Sequence, residues 1–221
     1  MMGTLTKLTG IPSNITYNLS MALVPALSAV GIFGLVYNMV SSQASRLSSA
    51  VISGIAAALL LTATSNLEGF LEFVHTNGIG SAPFWEWIAI DGLDGSPTEL
   101  SESWRPQEYM WWWRATRVIG TFDGGQAIDY TIQEFPFFSF MLGDLHPHMM
   151  SIPFIILFLS SCLELLRSPV PIWSPFNQRT MSTVFAMGLA LGGLAFINVW
   201  DWPVFSSLML GIAGLKLYSN R

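Results

Sequence analysis

Charged residues are scarce in this chain. Only 10% of its 221 residues are Asp, Glu, Lys or Arg, whereas 52% are hydrophobic and the mean hydropathy is +0.51. Soluble domains carry about 25% charged residues, because a water-facing surface needs polar groups. The shortage of charge therefore excludes a water-soluble domain of this length and predicts a protein that lies in a lipid bilayer.

Basic residues and cysteine are few as well. Nine Lys and Arg residues are outnumbered by 14 Asp and Glu residues, so the formal net charge is −5. A nucleic-acid partner is not expected, because it would require a basic face. Cys162 is the single cysteine, which excludes a disulfide within the chain. The sequence also lacks a Walker loop, a Rossmann glycine pattern, a nucleophile elbow and a His-Glu-x-x-His motif.

Five apolar segments are candidates for membrane spans. They are residues 17–40, 47–64, 149–166, 181–199 and the short segment 204–217. Small residues recur in the second and fourth segments, and small residues let helices approach closely in lipid. The pattern predicts an all-α fold, a polytopic transmembrane helix bundle of about five spans within a single transmembrane domain, 1–221.

A region of different composition, residues 65–147, separates the second and third spans. It holds 12 of the 14 acidic residues and six of the nine tryptophans. A loop of this length is usually functional or disordered, and its aromatic content argues against disorder. Because tryptophan is enriched at lipid headgroups, we predict an outer loop that contains interfacial helices, among them 84–88 and 110–113.

The orientation follows from the distribution of Lys and Arg. If the spans alternate, the short segments on one side carry Arg46, Arg167, Arg179 and Arg221. Cytoplasmic loops are enriched in these residues, and long loops translocate largely regardless of charge. We therefore predict a multi-pass protein of the plasma membrane, surrounded by membrane lipids, with the long loop and Asp201 facing outward.

The densest group of ionisable residues precedes the third span. Pro147 suits the first turn of a helix, so a helix should begin near His146. A helix N-terminus attracts anions, phosphates included. Asp144, His146 and His148 could there bind a lipid phosphate, ligate a divalent metal or shuttle a proton. The alternative is that Asp144 caps the helix and the two histidines are ordinary interfacial residues.

Arginines and a further acid form a second set of candidates. Arg114 and Arg117 are three residues apart, on one face if the segment is helical, and could clamp a phosphate or a carboxylate. They could equally extend toward the interface as isolated charges. Asp201, between two tryptophans, is either a helix cap or a site residue. We predict that Asp144, His146, His148 and Arg117 converge with Glu134 or Asp201 in one outward cavity.

Two acidic residues at the end of the second span raise a separate question. Glu68 and Glu72 are four apart, and like charges on one helix face repel unless a cation or a proton lies between them. His75, in the same segment, is expected to be an exposed loop residue.

Six motifs resemble those of the YYY family, which are large multi-span membrane proteins. They are Leu-Thr-Lys-Leu-Thr-Gly-Ile (5–11), Tyr-Asn (17–18), Trp-Arg-Ala-Thr-Arg-Val-Ile (113–119), Glu-Phe-Pro-Phe-Phe-Ser-Phe (134–140), Gly-Asp-Leu-His-Pro-His (143–148) and Asn-Val-Trp-Asp-Trp-Pro (198–203). The resemblance covers essentially the whole chain. It implies that the chain is the middle of a longer protein, since the family's acidic motif and tyrosine triplet lie upstream.

This family is similar in layout to C-type glycosyltransferases, which take sugars from polyprenyl-phosphate donors at the outer membrane face. The similarity implies that Asp144, His146 and His148 bind the donor phosphate, directly or through a divalent metal. It gives substrate-binding roles to Arg114, Arg117, Glu134 and Asp201. The usual catalytic base of such enzymes is an acid in the first outer loop, which would lie before residue 1. The alternative function is a non-catalytic scaffold or transport subunit in a complex with other membrane subunits.

Overall fold

Helices dominate the part of the chain that the structure describes. The structure is a computed structural model that describes residues 2–43, 47–88, 90, 92–93, 104–107, 111–116, 122–123, 126–127, 132–170 and 177–219. Its helices are α1 Met2–Thr9, α2 Ser13–Ser41, α3 Leu47–Leu59, α4 Glu68–Thr76, α5 Ala82–Ile88, α6 Pro136–Leu142, α7 Pro147–Arg167, α8 Gln178–Ile197 and α9 Asp201–Ser219. A π-helical turn, Leu60–Thr64, continues α3, and Trp111–Thr116 forms a 3₁₀ turn. Strands β1 Phe122–Asp123 and β2 Gln126–Ala127 pair in an antiparallel ladder.

Four helical segments are long and apolar enough to cross a membrane. They are Ser13–Ser41, Leu47–Thr64, Pro147–Arg167 and Gln178–Ile197. These segments match the first four predicted spans within a few residues, and they confirm the all-α polytopic bundle. Helix α9 covers the predicted fifth span and is 19 residues long, but it is not one of these four.

The chain divides into two compact units. The first, called here the helical bundle, comprises Met1–Thr62 and Gly143–Arg221. The second, the loop unit, comprises Ala63–Leu142 and so nearly coincides with the predicted outer loop, 65–147. Short helices within it were expected, whereas the β1–β2 hairpin was not.

Packing in the helical bundle follows the order of the chain. Helix α2 packs against α3 and α7, and α7 packs against α8 and α9. Small residues permit two of these contacts, as expected in lipid. A Cβ atom at Gly54 would lie 2.7 Å from the Phe33 ring, and one at Gly193 would lie 3.1 Å from the Phe154 ring. The core is formed by Phe158, Cys162, Leu165, Met187, Ala190, Leu191 and Ile212.

Hydrogen bonds show which helix ends share one end of the bundle. The Arg167 guanidinium, at the end of α7, donates to the carbonyl oxygen of Asn38 at 2.8 Å, near the end of α2. Lys216, near the end of α9, donates to the carbonyl oxygen of Ser168, and Arg179, at the start of α8, pairs with Glu164 of α7 at 2.5 Å. Arg167, Arg179 and Lys216 therefore lie at the same end, as the alternation of spans predicts.

The opposite end of the bundle is formed by the starts of α2, α7 and α9. The Tyr17 hydroxyl, near the start of α2, donates to the carbonyl oxygen of Gly143 at 3.1 Å. Helix α8 runs from the arginine end to this one, where α9 begins at Asp201. The direction of each end relative to the cell stays a prediction, and Arg46 and Arg221 lie outside the described residues.

The loop unit is organised around aromatic side chains. Trp85 of α5 is completely buried and packs with Ile90 and Leu93. Its ring meets the His75 ring edge-on, with the two centroids 4.8 Å apart. His75 is therefore a half-buried residue of α4, and the expectation of an exposed loop histidine was wrong. The Ser65 hydroxyl accepts a hydrogen bond from the Phe137 amide at 3.1 Å, which caps the start of α6.

Candidate functional site

The start of α7 carries the predicted phosphate or metal residues. His146 is the N-cap residue, with φ −60° and ψ 148°, and Pro147 is the first helical residue. The His146 carbonyl oxygen accepts from the amides of Met149 and Met150, both at 3.0 Å. Proline is suited to this position because its missing N–H would have had no partner within the helix. The helix start predicted from the sequence is thus confirmed.

Asp144 and the two histidines are neighbours in this turn. The Asp144 carboxylate lies 2.9 Å from Nε2 of His146, and the ring centroids of His146 and His148 are 5.3 Å apart. Both side chains of this contact are half exposed, 42% for His146 and 45% for Asp144. Because His146 is the N-cap residue, Asp144 is not the helix cap of the alternative interpretation. The carboxylate instead orients an imidazole that ligands can reach.

Gly143 sets the direction of the chain before these residues. Its φ is +73°, in the left-handed region that L side chains rarely adopt. A Cβ atom there would also lie 1.9 Å from Cε of Met21 in α2. Glycine is therefore favoured by the turn itself, since the overlap with α2 involves only the flexible end of the Met21 side chain.

Asp201 lies at the same end of the bundle as the two histidines. It is the first residue of α9, and its Oδ2 accepts a hydrogen bond from the Asn198 side-chain amide at 2.9 Å. The Asp201 amide in turn donates to the Asn198 carbonyl oxygen at 3.1 Å. These two hydrogen bonds between Asn198 and Asp201 close the tight turn between α8 and α9. Asp201 therefore has a structural role in this turn.

The loop unit contains a buried ion pair. Arg114 donates from Nε to Oε1 of Glu72 at 2.6 Å and from Nη2 to Oε2 at 3.0 Å. Glu72 is 1% exposed, and this two-pronged geometry is the strong form of an arginine–carboxylate contact. A Cβ atom at Gly92, where φ is +79°, would lie 2.5 Å from Nη1 of Arg114. Arg114 thus clamps a carboxylate, as predicted for its residue type, but the carboxylate belongs to the chain itself.

Glu68 lies beside this pair in α4. It is 4% exposed, and neither of its carboxyl oxygens has a hydrogen-bond partner of normal geometry among the described residues. Burial, together with the neighbouring Glu72 carboxyl, raises the pKa of Glu68 to about 8, and the Arg114 charge opposes the rise. The sequence argument required a cation or a proton for this acidic pair; Arg114 is the cation, and the raised pKa of Glu68 favours a proton on that carboxyl.

An apolar cavity of about 370 Å³ adjoins Glu68 within the loop unit. Six aromatic rings line it, from Phe70, Phe73, Trp111, Trp112, Phe135 and Phe137. The Asn66 side chain in its wall is occupied, because it donates to the Ala115 carbonyl oxygen and accepts from the Glu68 amide. The volume is in the range of small-molecule sites, about 300–1,000 Å³. The sequence showed the aromatic residues but not that distant segments would enclose a cavity.

The predicted site residues are therefore distributed over both units. Asp144, His146, His148 and Asp201 belong to the helical bundle, whereas Arg114 and Glu134 belong to the loop unit. Arg117 lies outside the described residues. The convergence of these residues in one cavity stays a prediction.

Comparison with known proteins places the chain among membrane proteins. The sequence model of one family, described as "Uncharacterized membrane protein (DUF2298)", matches residues 1–221. No curated protein and no solved structure matches the chain. Since the family match extends over the full length given, and four helices are apolar enough to span a bilayer, the chain belongs to the DUF2298 family of membrane proteins.

Proposed function

We propose that this chain is part of a membrane-embedded glycosyltransferase that uses a polyprenyl-phosphate sugar donor. The observation that supports this most is the group of Asp144, His146 and His148 at the first turn of α7. The group combines a carboxylate–imidazole contact of 2.9 Å, a second imidazole and the positive end of a helix dipole. These are features that bind phosphate.

In this proposal the two histidines donate hydrogen bonds to the donor phosphate, and Asp144 keeps the His146 ring in position. Charge-assisted contacts of this kind are stronger than neutral ones. One carboxylate and two imidazoles are also a donor set that fits a divalent transition metal. Such a metal would stabilise the negative charge on the departing lipid phosphate.

The aromatic cavity of the loop unit is our candidate for the isoprenoid chain of the donor. Its lining rings present apolar surface, and the raised pKa of Glu68 favours the uncharged form of this neighbouring carboxyl. The cavity wall begins at Ala63 and Thr64, where the second spanning segment ends. A lipid chain is an apolar ligand that suits such a lining.

Binding of a polyprenyl phosphate to the purified full chain in detergent tests the phosphate site. His146→Ala and His148→Ala should each weaken binding by roughly 10-fold to 100-fold, because a lost charge-assisted hydrogen bond costs about 1.5–3 kcal/mol. Their unfolding midpoints should stay near that of the wild type. His75→Ala is the matched control, since this third histidine packs on Trp85; it should lower stability and leave binding unchanged.

Two substitutions at one position test the chain site. A Cβ atom at Gly69 would contact only the Trp111 ring, at 3.7 Å, so Gly69→Ala should be tolerated. Gly69→Leu should extend into the cavity and reduce crosslinking by a polyprenyl phosphate that carries a photoreactive group on its chain. Equal crosslinking in both variants would rule out the cavity as the site of the isoprenoid chain. Wild-type affinity in the histidine variants would instead favour a non-catalytic scaffold.

We further propose that the end of the bundle with His146 and Asp201 faces outward in the plasma membrane. The support is the position of Arg167, Arg179 and Lys216 at the opposite end, together with the cytoplasmic preference of such residues. Cysteines placed at positions 201 and 179 in a Cys162→Ser background test the orientation. Labelling of position 201 only from the cytoplasm would show that the orientation is the reverse of the proposed one.

A further inference from the structure

Three positively charged side chains meet where α2, α7 and α9 end and α8 begins. They are Arg167, Arg179 and Lys216, and Glu164 is the carboxylate among the described residues of these helix ends. Three positive charges against one negative leave an excess of two. This excess lies far along the bundle from Asp144 and His146, at the opposite ends of the same helices.

A cavity of about 270 Å³ is lined by Arg167 and Arg179, and also by Ser168, whose carbonyl oxygen Lys216 contacts. Its polar lining comes from Glu164, Arg167, Ser168, Asn177 and Arg179. Asn177 is the N-cap residue of α8, and its side-chain oxygen accepts from the Thr180 amide at 3.0 Å. The positive end of the α8 dipole thus points toward the same space.

Lys216 adds a third positive charge beside the wall of this cavity. Its side chain is on a residue only 4% exposed, and its ammonium donates to the carbonyl oxygen of Ser168, a residue of the cavity wall. No carboxylate of the described residues pairs with it. A buried ammonium without a counter-ion is unfavourable, and a bound anion would offset this.

Arg179 adds a second unfavourable charge that an anion would relieve. It is the second residue of α8, where the helix dipole disfavours a cation. Glu164 holds its guanidinium at 2.5 Å, but the side chain remains 78% exposed. Arg167 uses two of its nitrogens on Asn38, Met39 and Ser42. Since an arginine has five N–H donors and a lysine three, donors remain on each for a ligand.

We propose that this cavity binds the phosphate group of an anionic membrane lipid. Three of the four helices that start or end here, α2, α7 and α8, are apolar enough to span a bilayer, so the cavity lies at the level of the headgroups. Basic pockets between the ends of spanning helices bind phosphate-bearing headgroups on the cytoplasmic side. This site does not depend on the proposed glycosyltransferase function.

Lipid binding to the purified full chain in detergent tests the site. Native mass spectrometry should show tighter binding of phosphatidylglycerol than of phosphatidylcholine, and phosphatidylglycerol should raise the unfolding midpoint. Arg179→Gln should weaken phosphatidylglycerol binding by roughly tenfold or more, the loss expected for one charge-assisted hydrogen bond. Lys7→Gln removes a positive charge from α1, at the other end of the bundle, and should leave the affinity unchanged.

Lys216→Met separates ligand binding from a purely structural role. Without phosphatidylglycerol the variant should be as stable as the wild type or more stable, because it removes an unpaired buried charge. With phosphatidylglycerol it should gain much less than the wild type. Equal destabilisation in both conditions would overturn the proposal and leave Lys216 as a cap of α7.

Three further results would overturn the lipid site. The first is equal affinity for phosphatidylglycerol and phosphatidylcholine. The second is an equal loss of affinity in Arg179→Gln and Lys7→Gln, which would indicate unspecific attraction. The third is protection by inorganic phosphate alone that matches protection by phosphatidylglycerol at equal concentration, which would indicate a general anion site.

Discussion

Two acid–base pairs, one in each unit, have similar distances and opposite surroundings. Glu72 and Arg114 in the loop unit are 2.6 and 3.0 Å apart, and the glutamate is almost completely buried. Asp144 and His146 in the helical bundle are 2.9 Å apart and half exposed. Distance alone would assign them the same role, whereas burial assigns them different ones.

Burial decides what each pair can do. A buried carboxylate requires its partner, since an uncompensated charge in the interior is strongly destabilising. An exposed pair contributes about 0–1 kcal/mol, so little stability is lost if a ligand takes over one of its contacts. The comparison indicates that Arg114 supports the fold of the loop unit, while Asp144 and His146 form a half-exposed contact whose role in binding stays a prediction. A substrate role for Arg114 stays a prediction.

Removal of Arg114 is the strongest test of this contrast. Arg114→Ala should lower the free energy of unfolding by about 3–5 kcal/mol, because it leaves the Glu72 charge buried without a partner. The largest loss should be local, in α4 and the 3₁₀ turn. Hydrogen exchange of the full chain in detergent, read for residues 68–76, measures it.

Arg114→Lys is the matched control. Lysine keeps the charge but cannot form the two parallel contacts, so its destabilisation should be intermediate. If Arg114→Ala changes stability by less than 1 kcal/mol, the pair is solvated in the protein and the contrast between the units disappears.

The pH dependence of stability sharpens the same comparison, through Glu68. Its pKa is raised to about 8 in the folded chain, so the folded state holds a proton that the unfolded state loses near the ordinary value of about 4.5. Stability from this group is therefore fully present below the ordinary pKa and is lost as the pH rises to about 8. The slope in that window is about 1.4 kcal/mol per pH unit.

Glu68→Gln replaces the protonated carboxyl by a neutral group of similar shape. Between about pH 5 and 8 its stability should fall less steeply than that of the wild type, and above about pH 8 the variant should be the more stable of the two. Chemical denaturation at a series of pH values measures both curves. Parallel curves would show that Glu68 is ionised at neutral pH.

Local signals made part of the structure predictable from the sequence. The start of α7 followed from Pro147, because proline is favoured in the first helical turn. The spanning segments followed from the length of the apolar runs. The position of Arg167 and Arg179 at one end of the bundle followed from the alternating direction of the spans. Each of these inferences uses residues close together in the chain.

Contacts between distant residues could not be predicted in this way. Arg114 is 42 residues from Glu72, and no pattern in the sequence selects that acid from the many others in the loop. The repulsion between Glu68 and Glu72 did indicate that a cation or proton was needed, but not its source. The aromatic cavity and the buried position of Lys216 depend likewise on how separate segments pack.

The smallest expected effect on stability belongs to the exposed pair of the helical bundle. Asp144→Asn keeps the shape of the side chain and removes its charge. It should change the free energy of unfolding by less than about 1 kcal/mol, because water already screens half of this contact. The same change should weaken polyprenyl-phosphate binding, since a ring held less firmly by its neighbour donates less well to a phosphate.

Asp201→Asn provides the comparison at the same end of the bundle, where the acid closes the α8–α9 turn through Asn198. Asp144→Asn should change binding more than stability, whereas Asp201→Asn should change stability more than binding. If Asp144→Asn instead destabilises the bundle as much as Arg114→Ala destabilises the loop unit, the Asp144–His146 pair is structural and the phosphate site must be sought elsewhere.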